Sequence, residues 1–241
     1  MNLVGLDYAL RLPLRLEESL GCPRCHTRLA GSLRCDRCDF EMAWKAGILV
    51  CRPEDAGDER GGVARAREDE TWGRFVPDRA KLILDYTGGE FAVADWMAHH
   101  SGAEVVSLHA SRAEVLEAAR STTPAVHILS AWGEVPFADR TVDAVLVRDV
   151  DPRLPEWEAS AFYREAFRVL RPGGWLVLRS RPVGRLRTLG LFRRRLEREG
   201  LRYLGGEAEF RIGGGWWLNM MPREAMEWWL GTRFSVVAGR Y

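Results

Sequence analysis

The sequence predicts an α/β fold on a mostly parallel sheet, preceded by a small cysteine-held metal module. Three observations carry that prediction. Four cysteines form two C-x-x-C pairs near the N-terminus. Residues 52–70 are dense in charge, Gly and Ala, with almost no large apolar side chain. From Lys81 onward, short apolar runs alternate with amphipathic stretches. The expected division is therefore a module over 1–51, a linker over 52–70 and an α/β domain over 71–241.

The module rests on Cys22-Pro-Arg-Cys25 and Cys35-Asp-Arg-Cys38. Zinc takes four soft ligands at the corners of a tetrahedron, with Zn–S about 2.3 Å. One C-x-x-C turn brings two thiolates together, and a second turn completes the set. Two disulfides are the rival reading, and cytosolic thiols stay reduced. A redox pair would account for one C-x-x-C and leave the other unexplained. The expected ligands are Cys22, Cys25, Cys35 and Cys38 in a closed structural site. His26 lies beside a knuckle as a spare donor, and Cys51 reads as a small buried hydrophobe.

Within the α/β part, residues 82–84 are a short apolar strand ending at Asp85. Thr87-Gly88-Gly89 follows, and then a helical pattern through Phe91, Ala94, Met97 and Ala98, with His99 and His100 placed to cap it. Residues 105–108 are a second strand, 113–120 a second helix, 126–129 a third strand and 142–147 a fourth, with Asp143 at its start. Residues 156–170 carry the strongest helical period, which Pro172-Gly173-Gly174 stops before a fifth strand at 175–178. Pro222 opens a helix over 223–230, Gly231 closes it, and 234–241 reads as a last strand. Such alternation implies right-handed crossovers, with ligands at the carboxyl ends of the strands.

Composition narrows the classes. Net charge is +1, with 46% hydrophobic and 29% charged residues, which excludes wholesale disorder. No apolar run approaches the ~20 residues of a membrane span, and 1–20 lacks a signal-peptide pattern, so a cytoplasmic location is expected. Charge is uneven: the run from Arg181 to Arg202 holds eight arginines against Glu197 and Glu199. Arginines in such a run can bind RNA phosphates. The spacing of Arg187, Arg194, Arg195 and Arg198 equally fits the wet face of a helix backed by Leu189, Leu191, Phe192 and Leu196.

Two segments carry a family resemblance. Residues 164–178, with Arg171-Pro172-Gly173-Gly174 before Trp175-Leu-Val-Leu, resemble the helix, turn and fifth strand of class I S-adenosylmethionine-dependent methyltransferases. Residues 135–145 resemble the segment leading into strand four of the same family. The resemblance implies a Rossmann-like, seven-stranded, mostly parallel sheet whose last strand is antiparallel. The N-terminal cysteines, with Phe40 and residues 47–49, are similar to the zinc ribbon of small methyltransferase-activating proteins. They are also similar to the ribbon fused to ribosomal RNA guanine methyltransferases.

At the cofactor loop the residues depart from that family. Asp85 and Gly89 match, with Gly88 between them, whereas Thr87 and Phe91 stand where the family has glycines. His109 occupies the position of the acid that grips both ribose hydroxyls, and Ala131, followed by Trp132, the position of an Asp beside the adenine. Two readings follow. In one, S-adenosylmethionine binds differently, with Asp85, Gly88, Gly89, His109 and Trp132 around it and Trp132 stacked on the adenine. In the other, the site has decayed, and a catalytically inactive pseudo-methyltransferase binds a partner.

As an enzyme, the chain would methylate RNA, a protein or a small molecule, with Asp149 and Asp151 after the fourth strand as candidate bases. As a partner-binding module, it would engage a protein through the ribbon or through the Trp-rich C-terminal segment. That segment holds Trp216, Trp217, Met220, Met221, Trp228 and Trp229. As an RNA binder, it would use the ribbon and the arginine run and need no S-adenosylmethionine.

Overall fold

The computed structural model describes residues 14–29, 31–45, 48–51, 76, 78–86, 92–118, 125–131, 133–148, 156–180, 189–210 and 231–240. The expected linker, the 223–230 helix and the Trp-rich segment lie outside these residues.

The central strands are β3 (Leu82–Tyr86) and β6 (Val142–Arg148), and every residue of both is buried. That is the signature of parallel strands covered on both faces, and it explains their near-continuous apolar sequence. On one flank lie β4 (Glu104–His109) and β5 (Val126–Leu129); on the other are β7 (Leu170–Ser180), β8 (Arg202–Phe210) and β9 (Gly231–Gly239). Two short N-terminal strands, β1 (Ala43–Lys45) and β2 (Ile48–Val50), complete one sheet in the order β1-β2-β5-β4-β3-β6-β7-β9-β8. Strands β2 through β7 run parallel within their pairs, while β9 is antiparallel to both β7 and β8.

Side chains alternate between the faces with a period of two. Ile83, Val105, Ala144, Leu146 and Val177 meet Val93, Ala94 and Met97 of α2 (Ala92–His100) on one face. Leu84, Val106, Leu108, Val145, Val147 and Leu176 share the other face's core with α4 (Glu156–Val169) and α5 (Leu189–Arg198). Helix α3 (Arg112–Ala118) places Val115 against Ile48 and Leu129. At the end of α2, His100 Nδ1 lies 2.8 Å from Trp96 O and its ring stacks on Trp96, so this histidine caps its helix as expected.

Polar side chains fix the strand starts. Asp143 Oδ2 accepts from the Lys81 and Leu82 amides at 2.7 and 2.9 Å, and its other oxygen pairs with Arg171. This one carboxylate therefore ties β3, β6 and the start of β7. The expected fifth strand thus begins before Pro172-Gly173-Gly174, which forms an irregular stretch inside β7 where the register shifts between Leu170 and Trp175. That stretch needs both of its glycines. Gly173 has φ +78°, and a Cβ on Gly174 would stand 2.9 Å from Arg171 O. Arg240 donates to Phe167 O, Arg168 O and Leu170 O at 2.6, 2.9 and 3.1 Å, satisfying carbonyls at the end of α4.

Among the described residues the sheet has two strands more than the expected seven, and both come from the N-terminal segment. An uncovered β5 would present a row of unpaired backbone groups. Strand β2 covers them in parallel register, with Ile48, Leu49 and Val50 opposite His127, Ile128 and Leu129, and the Cys51 amide extends the ladder to Leu129 O at 2.9 Å.

The described part of the arginine run departs from the simplest amphipathic pattern. Arg193, Arg194 and Arg198 are exposed, but Arg195 is buried beside Leu196, with Nη2 donating to Ser160 Oγ at 2.5 Å. Its long apolar stem lets a guanidinium reach a polar partner from a buried position.

Candidate functional site

The metal cluster is made of two copies of one local geometry. In the first knuckle the His26 amide donates to Cys22 O at 2.8 Å and the Cys22 amide to Thr27 O at 2.9 Å. In the second, Asp39 donates to Cys35 O at 2.9 Å and Cys35 to Phe40 O at 2.8 Å. The residue after each second cysteine takes a left-handed conformation, His26 at φ 60° and Asp39 at φ 57°. His and Asp tolerate that region better than most residues, which suits them to the bend. Arg24 lies 5.1 Å over the Phe40 ring and joins the two knuckles.

The result brings the Sγ atoms of Cys22, Cys25, Cys35 and Cys38 within 4.8 Å of one another. Cys22–Cys38 and Cys25–Cys35 are each 3.4 Å apart, and all four are free thiols. A tetrahedron of sulfurs around zinc has edges of about 3.8 Å, so the donor set fits that ion. As free thiols they differ: burial pushes Cys22 up to about 12, while its Thr27 hydrogen bond draws Cys25 down to about 6. A bound cation would remove that difference by holding all four as thiolates. His26 stays outside the four-thiol cluster. Cys51 is buried with Sγ 3.2 Å from Met42 Sδ, a packed hydrophobe as expected.

This cluster is seated directly on the α/β sheet's surroundings. Helix α1 (Leu14–Ser19) leads into Gly21, whose amide donates to Pro136 O at 3.2 Å, and the Ala138 amide donates back to Ser19 O at 2.8 Å. A Cβ on Gly21 would lie 2.6 Å from Ala138 N and 2.7 Å from the Phe137 carbonyl carbon. Only glycine permits that approach. The 135–139 segment is in turn clamped by α4. Arg168 donates to Val135 O, Phe137 O and Asp139 Oδ1 at 2.7–2.9 Å, while Glu165 Oε2 accepts from the Val135 amide at 3.3 Å. Charge-assisted bonds of this kind hold a loop better than neutral ones.

At the carboxyl ends of the strands, Asp85 is buried on β3, opposite Ser107 of β4 and Leu146 of β6. Next to it, Tyr86 packs edge-on against Phe162 at 5.2 Å, fixing this strand end to α4. His109 ends β4 and is buried, with Nε2 3.3 Å from Nδ1 of His127 on β5. That hydrogen bond needs a proton on one of the two nitrogens only, so it suits two neutral rings. Burial, with His127 beside it, holds His109 down at about 3, and burial also lowers His127.

Of the expected pocket residues, the structure thus places Asp85 and His109 at adjacent strand ends. Gly88, Gly89, Trp132, Asp149 and Asp151 lie outside the described residues, as do Arg181, Arg185 and Arg187. Ala131 is described and contributes its carbonyl to the turn after β5, accepting from Glu134 N at 3.1 Å.

The methyltransferase domain family matches residues 84–178, the stretch from within β3 to within β7. This stretch resembles a methyltransferase domain. Solved structures give the same fold. A Haloferax volcanii complex of the Trm112 methyltransferase activator with a putative methyltransferase aligns at TM-score 0.53 and 15% identity, covering 69% of this chain and 85% of that one. An S-adenosylmethionine-dependent methyltransferase from Mesorhizobium loti gives 0.52 and 17%, covering 70% and 96%. A putative one from Listeria monocytogenes gives 0.54 and 15%, covering 71% and 96%. At such identities the likeness is one of fold. No curated protein matches the sequence. The four-cysteine cluster ahead of the matched stretch fits a zinc ribbon.

His127 was missed as a site neighbour. The signal was a polar residue inside the apolar run Val126-His127-Ile128-Leu129, where only a partner such as His109 makes burial tolerable. Glu165 and Arg168 were missed as clamps of the 135–139 loop. Their i, i+3 spacing on α4 looks like an ordinary surface pair.

Proposed function

We propose that this chain is an S-adenosylmethionine-dependent methyltransferase whose ribbon, over 1–51, serves as a built-in brace for the α/β part over 71–241, with 52–70 joining them. The observation that carries the reading is Asp85, buried at the carboxyl end of β3 where strand order reverses toward β6. That crevice is where open α/β sheets hold their ligands.

The residues fit the cofactor in an altered form. Asp85, Gly88 and Gly89 would line the loop after β3, and Trp132 would stack on the adenine. Neutral His109 offers the ribose one hydrogen bond where a carboxylate would offer two. S-adenosylmethionine would supply a sulfonium-bound methyl group, passed to an acceptor lone pair with the C–S electrons left on sulfur. Asp149 or Asp151 would take the acceptor's proton, and the domain's main contribution is alignment. Zinc would be held by Cys22, Cys25, Cys35 and Cys38, closing a site with a structural role. The Haloferax complex pairs a methyltransferase with a separate activator. Here strand β2 on β5 would give the same chain both parts.

A second reading is favoured by one contact. His109 Nε2 is turned to His127, which suits an inactive domain whose ribbon or Trp-rich segment binds a protein partner. Calorimetric titration of zinc-loaded protein with S-adenosylmethionine and S-adenosylhomocysteine separates the two. Saturable binding, weakened about five- to thirtyfold by Trp132→Ala, is expected for the enzyme, since a lost stacking contact removes about 1–2 kcal/mol. No heat at millimolar ligand would leave the partner-binding reading.

A further inference from the structure

The four thiols of the ribbon are not equivalent, and a purely structural zinc site makes no use of the difference. Cys22 and Cys35 are buried, whereas Cys25 and Cys38, the second cysteine of each knuckle, are half-exposed. Each half-exposed sulfur has a buried sulfur 3.4 Å away on the other knuckle, Cys35 for Cys25 and Cys22 for Cys38. A sulfur that solvent reaches, backed by one that it does not, is the arrangement of an attacking and a resolving thiol. Cys51 supplies the contrast. It is fully buried with Sγ beside Met42 Sδ, a thioether that forms no disulfide.

Charge separates the two half-exposed thiols. The segment 22–28 carries Arg24, His26 and Arg28 and no acid, with both arginines exposed. The segment 35–41 sets Arg37 among the exposed acids Asp36, Asp39 and Glu41. Reactive thiolates occupy electropositive, partly exposed surroundings. Thr27 Oγ1 also lies 3.4 Å from Cys25 Sγ, within reach to donate to a thiolate. Cys25 is thus placed to react first, and Cys35 to resolve it. A bond between them would close ten residues of sequence, against three within a C-x-x-C pair. Longer closures remove more freedom from the unfolded chain.

We infer that Cys25 and Cys35 form a dithiol site for small hydroperoxides, whose oxidation releases the zinc. The Cys25 thiolate attacks a peroxide oxygen; the O–O bond breaks, a sulfenic acid forms and hydroxide leaves. The Cys35 thiolate then attacks the sulfenic sulfur; the S–S bond forms, the S–O bond breaks and a second hydroxide leaves. Two electrons pass from the sulfur pair to the peroxide. A structural zinc takes four protein ligands, and only Cys22 and Cys38 remain to hold it. A small thiol reduces the disulfide and restores the site. This sulfur chemistry stands apart from the methyl-transfer reading; that oxidation also undoes the brace on the pocket rests on that reading.

The test mixes the full-length, zinc-loaded protein with a slight excess of hydrogen peroxide. Released zinc is read with a chromophoric chelator, and disulfides are mapped by peptide mass spectrometry after the remaining thiols are alkylated. The expected result is zinc release in step with a Cys25–Cys35 disulfide as first product, and zinc rebinding after dithiothreitol. Arg24→Gln, which keeps every ligand, should slow release several-fold, while Arg37→Gln in the acid-rich segment should leave the rate nearly unchanged. The inference is overturned if zinc stays bound at millimolar peroxide, if the first disulfide joins another pair, or if the two arginine variants react alike. S-adenosylhomocysteine affinity, measured before and after oxidation, should fall about tenfold or more and recover on reduction. Equal affinity in both states would remove the link to the pocket. No binding by the reduced, loaded protein would sink the methyl-transfer reading and leave the dithiol site standing.

Discussion

In the ribbon, two six-residue knuckles repeat one hydrogen-bond pattern and deliver four identical donor atoms to one point. At the strand ends, Asp85, His109 and His127 arrive from three different strands and share no local motif. The contrast explains why one site can be read from spacing while the other cannot. A metal cluster is specified by two short loops, and losing one ligand removes the site. A cofactor pocket draws on many separate strand ends, so one contact can be exchanged for another. Here His109 ends β4 as a histidine that burial, with His127 beside it, holds neutral.

The sharpest way to break this contrast is to remove the metal. Chelation, or Cys35→Ser, should lower the melting temperature on the order of 10 °C, because metal binding is folding energy for so small a module. An unchanged melt would show that the ribbon stands without its ion. The seam between the two regions is tested by Gly21→Ala, whose methyl would meet Ala138 N at 2.6 Å. Overpacking of this kind costs about 1–3 kcal/mol, or about 2–10 °C, and a neutral effect would mean that the ribbon can shift away from 136–138.

The strand-end site has its own signature in acid. His109 binds a proton far less readily in the folded protein than in the unfolded chain, where a histidine titrates near 6.5. Between pH 6.5 and about 3 the unfolded state therefore carries more protons, so stability falls as pH falls through that window. From pH 6.5 to 5 the loss should reach about 2 kcal/mol, and His109→Gln should flatten it in urea-midpoint measurements. An identical acid slope in the variant would place the titration elsewhere. The smallest effect is expected far from both sites. Arg193 and Glu197 pair at 2.8 Å on the exposed face of α5, and Arg193→Ala should cost less than about 0.5 kcal/mol in the same assay.

Much of the fold could be read from local pattern. The apolar runs at β3, β4, β5 and β6 and the amphipathic period of α4 are properties of neighbouring residues, and they appear where the sequence places them. Strand β8 was not legible. Gly205, Gly206, Glu207 and Glu209 obscure any alternation, and an edge strand tolerates such residues. The docking of β2 on β5 was equally hidden, since Ile48 meets His127 only through tertiary pairing. The same limit applied to the sites. Cys22, Cys25, Cys35 and Cys38 announce themselves by spacing, whereas the His109–His127 contact exists only once strands are aligned.

The most direct test of the account measures S-adenosylhomocysteine binding calorimetrically on the zinc-loaded protein and again after chelation. A ribbon that braces a working pocket predicts one-to-one binding in the loaded protein and its loss, or at least a tenfold weakening, without the metal. Absence of binding by the loaded protein would contradict the account at its centre. Equal binding in both states would show that ribbon and pocket are independent.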